Sequence, residues 1–85
     1  MATILIVDDE PSVRDLIRDS LELEDHDVLE AVDGPSALDA LVGPDLPDCV
    51  VLDIMMPGIS GLDVLTELRA KPVTKELPVI LLTAM

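Results

Sequence analysis

Short apolar runs alternate with longer amphipathic stretches along the whole chain. Residues 3–7, 49–52 and 79–82 are apolar at nearly every position, as strands buried on both faces of a parallel sheet are. Residues 27–32 carry fewer apolar side chains but predict a further, shorter strand. This spacing constrains the fold more than any other feature, because each run is too short to form a helix.

The stretches between these runs predict three amphipathic helices. The first has Pro11 in its first turn, where helices accept proline, and the third has Ser60 as its N-cap. Asp33, Gly34 and Pro35 form the turn that leads into the second helix. The apolar residues that recur at helical spacing, and that we expect to face inward, are Val13, Leu16, Ile17, Leu21 and Leu23, then Ala37, Leu38, Leu41 and Val42, then Leu62, Val64, Leu65 and Leu68.

The predicted order is therefore βαβαβαβ, which indicates an α/β fold with a parallel sheet and helices on both faces. The 85 residues are enough for one domain, and the sequence contains neither an internal repeat nor a low-complexity linker. We therefore predict a single domain over residues 1–85.

Composition excludes several classes of protein. Five Lys and Arg against 18 Asp and Glu give a net charge of −13, which disfavours direct nucleic-acid binding because phosphate neutralisation needs clustered cations. The apolar runs are far shorter than the ~18 residues of a membrane span, and the N-terminus does not resemble a signal peptide. One cysteine, Cys49, calls for no oxidising compartment. We therefore expect a cytoplasmic protein without a membrane segment. Because Phe, Tyr and Trp are absent, we also expect a core built from aliphatic side chains.

Acidic residues follow two of the apolar strands directly. Asp8 and Asp9 come after residues 3–7, and Asp53 comes after residues 49–52. Ligands of open parallel sheets bind at the carboxyl ends of the strands. If the first and third strands are neighbours, three carboxylates meet there and repel one another, which a divalent cation such as Mg²⁺ would relieve. The alternative is that these acids cap helices or face water, as single acids at strand ends often do.

Several motifs in order resemble the receiver domain of two-component response regulators. The resemblance covers the whole chain and rests on residues 4–11 (ILIVDDEP) with Arg14, Asp33-Gly34 with Ala37-Leu38, residues 51–58 (VLDIMMPG) with Gly61, and residues 78–84 (PVILLTA). It implies a flavodoxin-like fold with strand order 2-1-3-4.

The resemblance also implies a role for each site residue. Asp53 would accept a phosphoryl group from a histidine kinase or phosphotransfer protein. Asp9 and Asp53 would bind Mg²⁺ directly together with the backbone carbonyl of Met55, while Asp8 would act largely through water. Thr83 would be the switch hydroxyl that hydrogen-bonds the phosphoryl group.

The family pattern continues beyond these motifs, through a fourth helix, a fifth strand and a fifth helix. That fifth strand carries a lysine that pairs with the phosphoryl group and an aromatic that moves with the switch threonine. The 85 residues contain neither, since Lys71 and Lys75 precede the fourth strand. We therefore expect an incomplete receiver, its N-terminal two-thirds, with impaired signalling. With strand four at the sheet edge, we also expect a homodimer or higher homo-oligomer through that side.

Two other functions stay open at this stage. The first is a self-associating assembly module that keeps the fold and the metal pocket. The second is a Mg²⁺-dependent phosphohydrolase with Asp53 as its nucleophile, but many such enzymes place a second acid two residues after the nucleophile, where this chain has Met55. The leading interpretation is a phospho-accepting signalling module rather than a true enzyme.

Overall fold

A computed structural model describes residues 1–42 and 44–82. Its elements follow the predicted alternation of strands and helices. The four strands are β1 (Thr3–Val7), β2 (Asp27–Ala31), β3 (Cys49–Asp53) and β4 (Val79–Leu82). The three helices are α1 (Pro11–Leu23), α2 (Gly34–Ala40) and α3 (Gly61–Ala70).

The four strands form one parallel sheet in the order β2-β1-β3-β4. The order implied by the family resemblance is therefore confirmed, as is the α/β class. In this order β1 and β3 are central, and Val7 of β1 pairs with Leu52 of β3. The residues that follow these two, Asp8 and Asp53, consequently lie side by side at the carboxyl edge of the sheet.

The larger apolar core lies between the sheet and helices α2 and α3. Alternate residues of the central strands point into it, because successive side chains of a strand face opposite sides of the sheet. Its members include Leu5, Val7, Val50 and Leu52 from the strands, Ala37, Val64 and Leu68 from the helices, and Leu41, which follows α2.

Helix α1 covers the opposite face of the sheet less completely. Ile4, Ile6 and Val51 are buried on this face, yet none of the thirteen residues of α1 is fully buried. Leu16 and Leu23 were predicted to face inward, but their exposed fractions are 69% and 86%. The helical spacing alone could not show that these two side chains are exposed, because the apolar stripe of α1 is wider than its contact with the sheet.

Smaller differences from the prediction occur at three other positions. The second strand ends at Ala31, so Val32 lies outside it and is half exposed. Val42 was placed in the second helix, but α2 ends at Ala40 and the Val42 side chain is exposed. Leu62, in the first turn of α3, is also exposed rather than inward-facing.

Strand β4 is an edge strand of the sheet, and none of its residues is buried. Among the described strands it pairs only with β3, so its other edge has no strand neighbour. Ile80 is 55% exposed on the α1 face, and Leu81 is 37% exposed on the other face. The described residues also contain no helix that is long and apolar enough to cross a membrane.

Candidate metal and phosphoacceptor site

The three predicted acids meet at one point. Asp8, Asp9 and Asp53 each bring a carboxylate oxygen within 4.8 Å of the others. Asp8 and Asp53 are buried, with exposed fractions of 4% and 5%, whereas Asp9 is exposed. We call this set the acidic cluster, and its position at the ends of two adjacent parallel strands is the one that the sequence predicted.

Backbone amides two residues further along the chain hold the two buried carboxylates. The amide of Glu10 donates to Oδ1 of Asp8 at 2.9 Å, and the amide of Met55 donates to Oδ1 of Asp53 at 3.0 Å. Such side-chain to backbone bonds are typical of aspartate at turns. Each carboxylate is thereby oriented through one oxygen and keeps its second oxygen for another ligand.

The environment of Asp53 disfavours its charged form. Burial raises the pKa of its carboxyl group above the ordinary aspartate value, and the neighbouring charges of Asp8 and Asp9 raise it further. The hydrogen bond from the Met55 amide lowers this pKa and so opposes part of the effect. A cation at the acidic cluster would favour the ionised form that a nucleophile requires.

The cluster fits a hard divalent cation by its donor chemistry. All three side chains offer carboxylate oxygens, the ligands that Mg²⁺ prefers, and one of them is exposed so that water can complete the coordination. Among the described residues, the group includes neither histidine nor cysteine. Those ligands would favour a softer metal.

A cavity of about 420 Å³ opens beside the acidic cluster. Asp8, Asp53 and Glu10 form its polar end. Apolar side chains line the rest, which lies between α1 and the ends of β3 and β4; they are Val13, Ile17, Met55 and Leu82.

The loop after β3 ends in a well-defined start of α3. Ser60 accepts a hydrogen bond from the amide of Asp63, and Asp63 accepts one from the amide of Ser60, which together form a capping box. The amide of Gly61 donates to the carbonyl of Ile54 at 3.1 Å. These bonds fix the chain on both sides of the loop that follows Asp53, and they confirm Ser60 as the predicted N-cap.

The predicted site contains two further residues, Met55 and Thr83. Met55 follows Asp53 by two positions and its side chain is 67% exposed, so its expected role as a metal ligand depends on the backbone carbonyl alone and stays a prediction. Thr83, the predicted switch hydroxyl, lies outside the described residues.

The sequence pattern did not identify the contact that Arg14 makes with the cluster. By its spacing Arg14 lies outside the apolar stripe of α1, on the side of a helix that usually faces solvent. Its guanidinium instead donates through Nη1 to the backbone carbonyl of Asp8 at 2.6 Å and through Nε to Glu30 at 3.1 Å. Arg14 accompanies residues 4–11 in the first receiver motif, but the spacing of this motif did not indicate what the Arg14 side chain would contact.

Comparison with known proteins agrees with this geometry. The family model of the response regulator receiver domain matches residues 4–85. The chain is 47% identical over 85 residues to the response regulator PleD of Caulobacter vibrioides, covering 99% of this chain but 18% of PleD. It therefore spans less than a fifth of that curated relative.

Solved structures match over nearly the whole chain. Response regulator TrrA of Thermotoga maritima, solved in complex with Mg²⁺ and BeF, is 45% identical with a TM-score of 0.90, covering 100% of this chain and 71% of TrrA. A second structure is that of histidine kinase ThkA in complex with response regulator TrrA. The matched chain of this complex is 45% identical with a TM-score of 0.88, and the match covers 99% of this chain and 70% of the matched chain.

Proposed function

Because this chain belongs to the family of response regulator receiver domains, we propose that Asp53 accepts a phosphoryl group from a histidine kinase or a phosphotransfer protein. The observation that carries the proposal is the meeting of Asp8, Asp9 and Asp53 at the carboxyl ends of adjacent strands. The complex of TrrA with the kinase ThkA supports a partner of this class.

The chemistry needs an ionised carboxylate at Asp53. An oxygen of Asp53 forms a bond to phosphorus while the bond between phosphorus and the donor breaks, which leaves an acyl phosphate on the side chain. The hydrogen bond from Met55 orients this carboxylate through Oδ1, so the other oxygen is the one that we expect to react. Burial limits water around the reacting oxygen.

We propose that Asp9 and Asp53 bind Mg²⁺ directly with the carbonyl of Met55, and that Asp8 contributes largely through water. Bound Mg²⁺ would supply positive charge that offsets the negative charge of three carboxylates and an incoming phosphoryl group. The structure of TrrA with Mg²⁺ and BeF supports this choice of cation. Thr83 as the switch hydroxyl is part of the same proposal and follows from the family motif alone.

We expect this chain to act as a signalling module rather than as an enzyme that turns over a substrate. The exposed, uncharged Met55 stands where many aspartyl phosphohydrolases have a second acid, which weighs against hydrolysis. Impaired signalling by the 85-residue chain, a cytoplasmic location and the absence of direct nucleic-acid binding stay predictions from the sequence.

A small phosphodonor separates these functions. The chain is mixed with acetyl phosphate and Mg²⁺, and its intact mass is followed with time. We expect a phosphoryl adduct that is lost in Asp53→Asn and retained in the control Asp39→Asn, which removes one exposed acid from α2. Continuous turnover of the donor without an accumulating adduct would favour the phosphohydrolase, and a chain that neither forms an adduct nor turns over donor would favour the assembly module.

For the 85-residue chain by itself we also propose self-association through the β4 side. The observation behind this proposal is the exposure of Ile80 and Leu81 on a strand with one described neighbour. A strand edge with free backbone donors and acceptors readily pairs with another strand, and a second copy supplies an identical edge across a two-fold axis. The net charge of −13 opposes this contact, so salt should strengthen it.

Sedimentation velocity tests the self-association directly. We expect a dimer or larger species at micromolar concentration, with a larger associated fraction at higher salt, and a smaller one for Ile80→Lys. Leu62→Lys, which changes an exposed apolar residue of α3 instead of β4, is the control. A compact, cooperatively folded monomer at the same concentration would contradict the proposal.

A further inference from the structure

Arg14 joins three elements that surround the acidic cluster. It lies near the start of α1, its Nη1 donates to the carbonyl of Asp8 directly after β1, and its Nε donates to Glu30 of β2. Only 13% of its side chain is exposed. From this geometry we propose that Arg14 is a positioning residue for the segment Asp8–Glu10, which we call the acidic loop; the inference rests on the proposed metal site.

The contact with Asp8 fixes a peptide group rather than a carboxylate. The carbonyl of Asp8 belongs to the peptide bond that links Asp8 to Asp9, and that bond is planar. Holding this carbonyl therefore limits the directions that the Asp9 side chain can take. This matters because Asp9 is exposed, so packing around its side chain contributes little to its position.

Other backbone bonds complete the frame of the acidic loop. The amide of Asp8 donates to the carbonyl of Ala31 at 3.2 Å, and the amide of Arg14 donates to the carbonyl of Glu10 at 3.1 Å. The loop is thus held at its start by β2 and at its end by α1. Arg14 supplies the bond to the peptide between these two points.

Glu30 directs the guanidinium of Arg14 to this position. Glu30 pairs with Ile6 in the sheet register, so its side chain lies on the face that α1 covers. With Nε bound to Glu30, Nη1 reaches the Asp8 carbonyl. Arg14 therefore binds the backbone carbonyl of Asp8 and the carboxylate of Glu30, which is outside the cluster. The three carboxylates of the cluster stay available to a cation.

Arg18 provides a matched control within the same helix. It lies four residues after Arg14 and donates to the other oxygen of Glu30 at 2.8 Å, and also to Asp15 at 2.8 Å. Its hydrogen bonds are thus all to residues outside the acidic loop. Arg14→Ala and Arg18→Ala each remove one positive charge and one ion pair with Glu30, but only the first removes the bond to Asp8.

The test is the Mg²⁺ affinity of the wild-type chain and of both variants, measured by isothermal titration calorimetry. We expect Arg14→Ala to weaken Mg²⁺ binding about tenfold, the lower end of the effect of residues that orient metal ligands. Arg18→Ala should stay within about twofold of the wild type. Arg14→Lys should recover part of the affinity, because an ammonium can reach one acceptor but does not have the two-sided geometry of the guanidinium.

Thermal unfolding without Mg²⁺ separates positioning from a merely structural role. We expect similar losses of Tm in Arg14→Ala and Arg18→Ala, together with unequal losses of Mg²⁺ affinity. Equal Mg²⁺ affinities in the two alanine variants would overturn the positioning role while leaving the metal site in place. Failure of the wild-type chain to bind Mg²⁺ would overturn the metal site and the positioning role with it.

Discussion

A Cβ atom added to Gly61 would lie 2.2 Å from the backbone carbonyl oxygen of Asp53. Helix α3 thus begins directly against the strand end that carries the proposed phosphoacceptor. Real Cβ atoms do not approach a carbonyl oxygen so closely, and here the neighbour is backbone, which cannot move aside as a flexible side chain can. The absence of a side chain at Gly61 therefore allows the start of α3 to lie directly against the backbone of Asp53.

Replacing Gly61 by alanine should disturb the site as well as the fold. We expect Gly61→Ala to lower the free energy of unfolding by about 2–3 kcal/mol, as overpacking against fixed atoms does. It should also weaken Mg²⁺ binding, because the displaced backbone belongs to Asp53. Chemical denaturation and calorimetric titration measure the two effects.

Gly58→Ala is the control for this change. Gly58 has a positive φ of 77° and no atom near its missing Cβ, so alanine there costs backbone strain of about 1–2 kcal/mol without a clash. Stability should fall in both variants, whereas Mg²⁺ affinity should fall mainly in Gly61→Ala. If Gly61→Ala bound Mg²⁺ as well as Gly58→Ala, the close contact would have no influence on the site.

Asp53 should destabilise the metal-free protein at neutral pH. Its pKa is raised in the folded state by burial and by the charges of Asp8 and Asp9, so ionisation costs more in the folded than in the unfolded chain. Asp53→Asn keeps an oxygen that can accept the Met55 amide but removes the charge. Without divalent cations we expect Asp53→Asn to raise the free energy of unfolding, and Tm with it.

The pH dependence of that difference follows from the sign of the shift. Well below the ordinary aspartate pKa of about 4, Asp53 is protonated in both states and the variant gains little. As the pH rises, the unfolded chain loses its proton first, so wild-type stability falls relative to the variant until the raised pKa is passed. Thermal unfolding in EDTA from acidic to neutral pH would show it; a gain that stays constant over this range would contradict the assignment.

The sheet and the acidic cluster could both be predicted from the sequence, for the same physical reason. Strands buried on both faces read as continuous apolar runs, and the carboxyl ends of parallel strands lie at one edge. Asp8 and Asp53 each follow such a run, so their meeting required only that β1 and β3 be neighbours. The family resemblance supplied that strand order, which the apolar pattern by itself left open.

The contacts of α1 could not be predicted from the sequence in this way. The spacing of Leu16 matches the apolar side of the helix, and the spacing of Arg14 matches the polar side. In the structure Leu16 is exposed while Arg14 is largely covered, because Arg14 reaches back over the sheet to Asp8 and Glu30. Periodicity describes faces of a helix, but it carries no information on the reach of a long side chain or on how much of a face is covered.

Two leucine variants test this corrected arrangement. Leu68, in α3, is 1% exposed within the larger core, so Leu68→Ala should cost about 2–5 kcal/mol of unfolding free energy. Leu16 is 69% exposed, so Leu16→Ala should change stability by about 0.5 kcal/mol or less. Urea denaturation compares them at equal protein concentration. A large loss in Leu16→Ala would show that α1 is covered more fully than the structure describes.

The most direct measurement is a crystal structure of this chain grown with Mg²⁺ and beryllofluoride, a mimic of a phosphoryl group. We expect a beryllium–oxygen bond to the carboxylate of Asp53, with Mg²⁺ bound by Asp9 and Asp53. Beryllofluoride attached to another side chain, or Mg²⁺ bound away from the acidic cluster, would contradict this expectation.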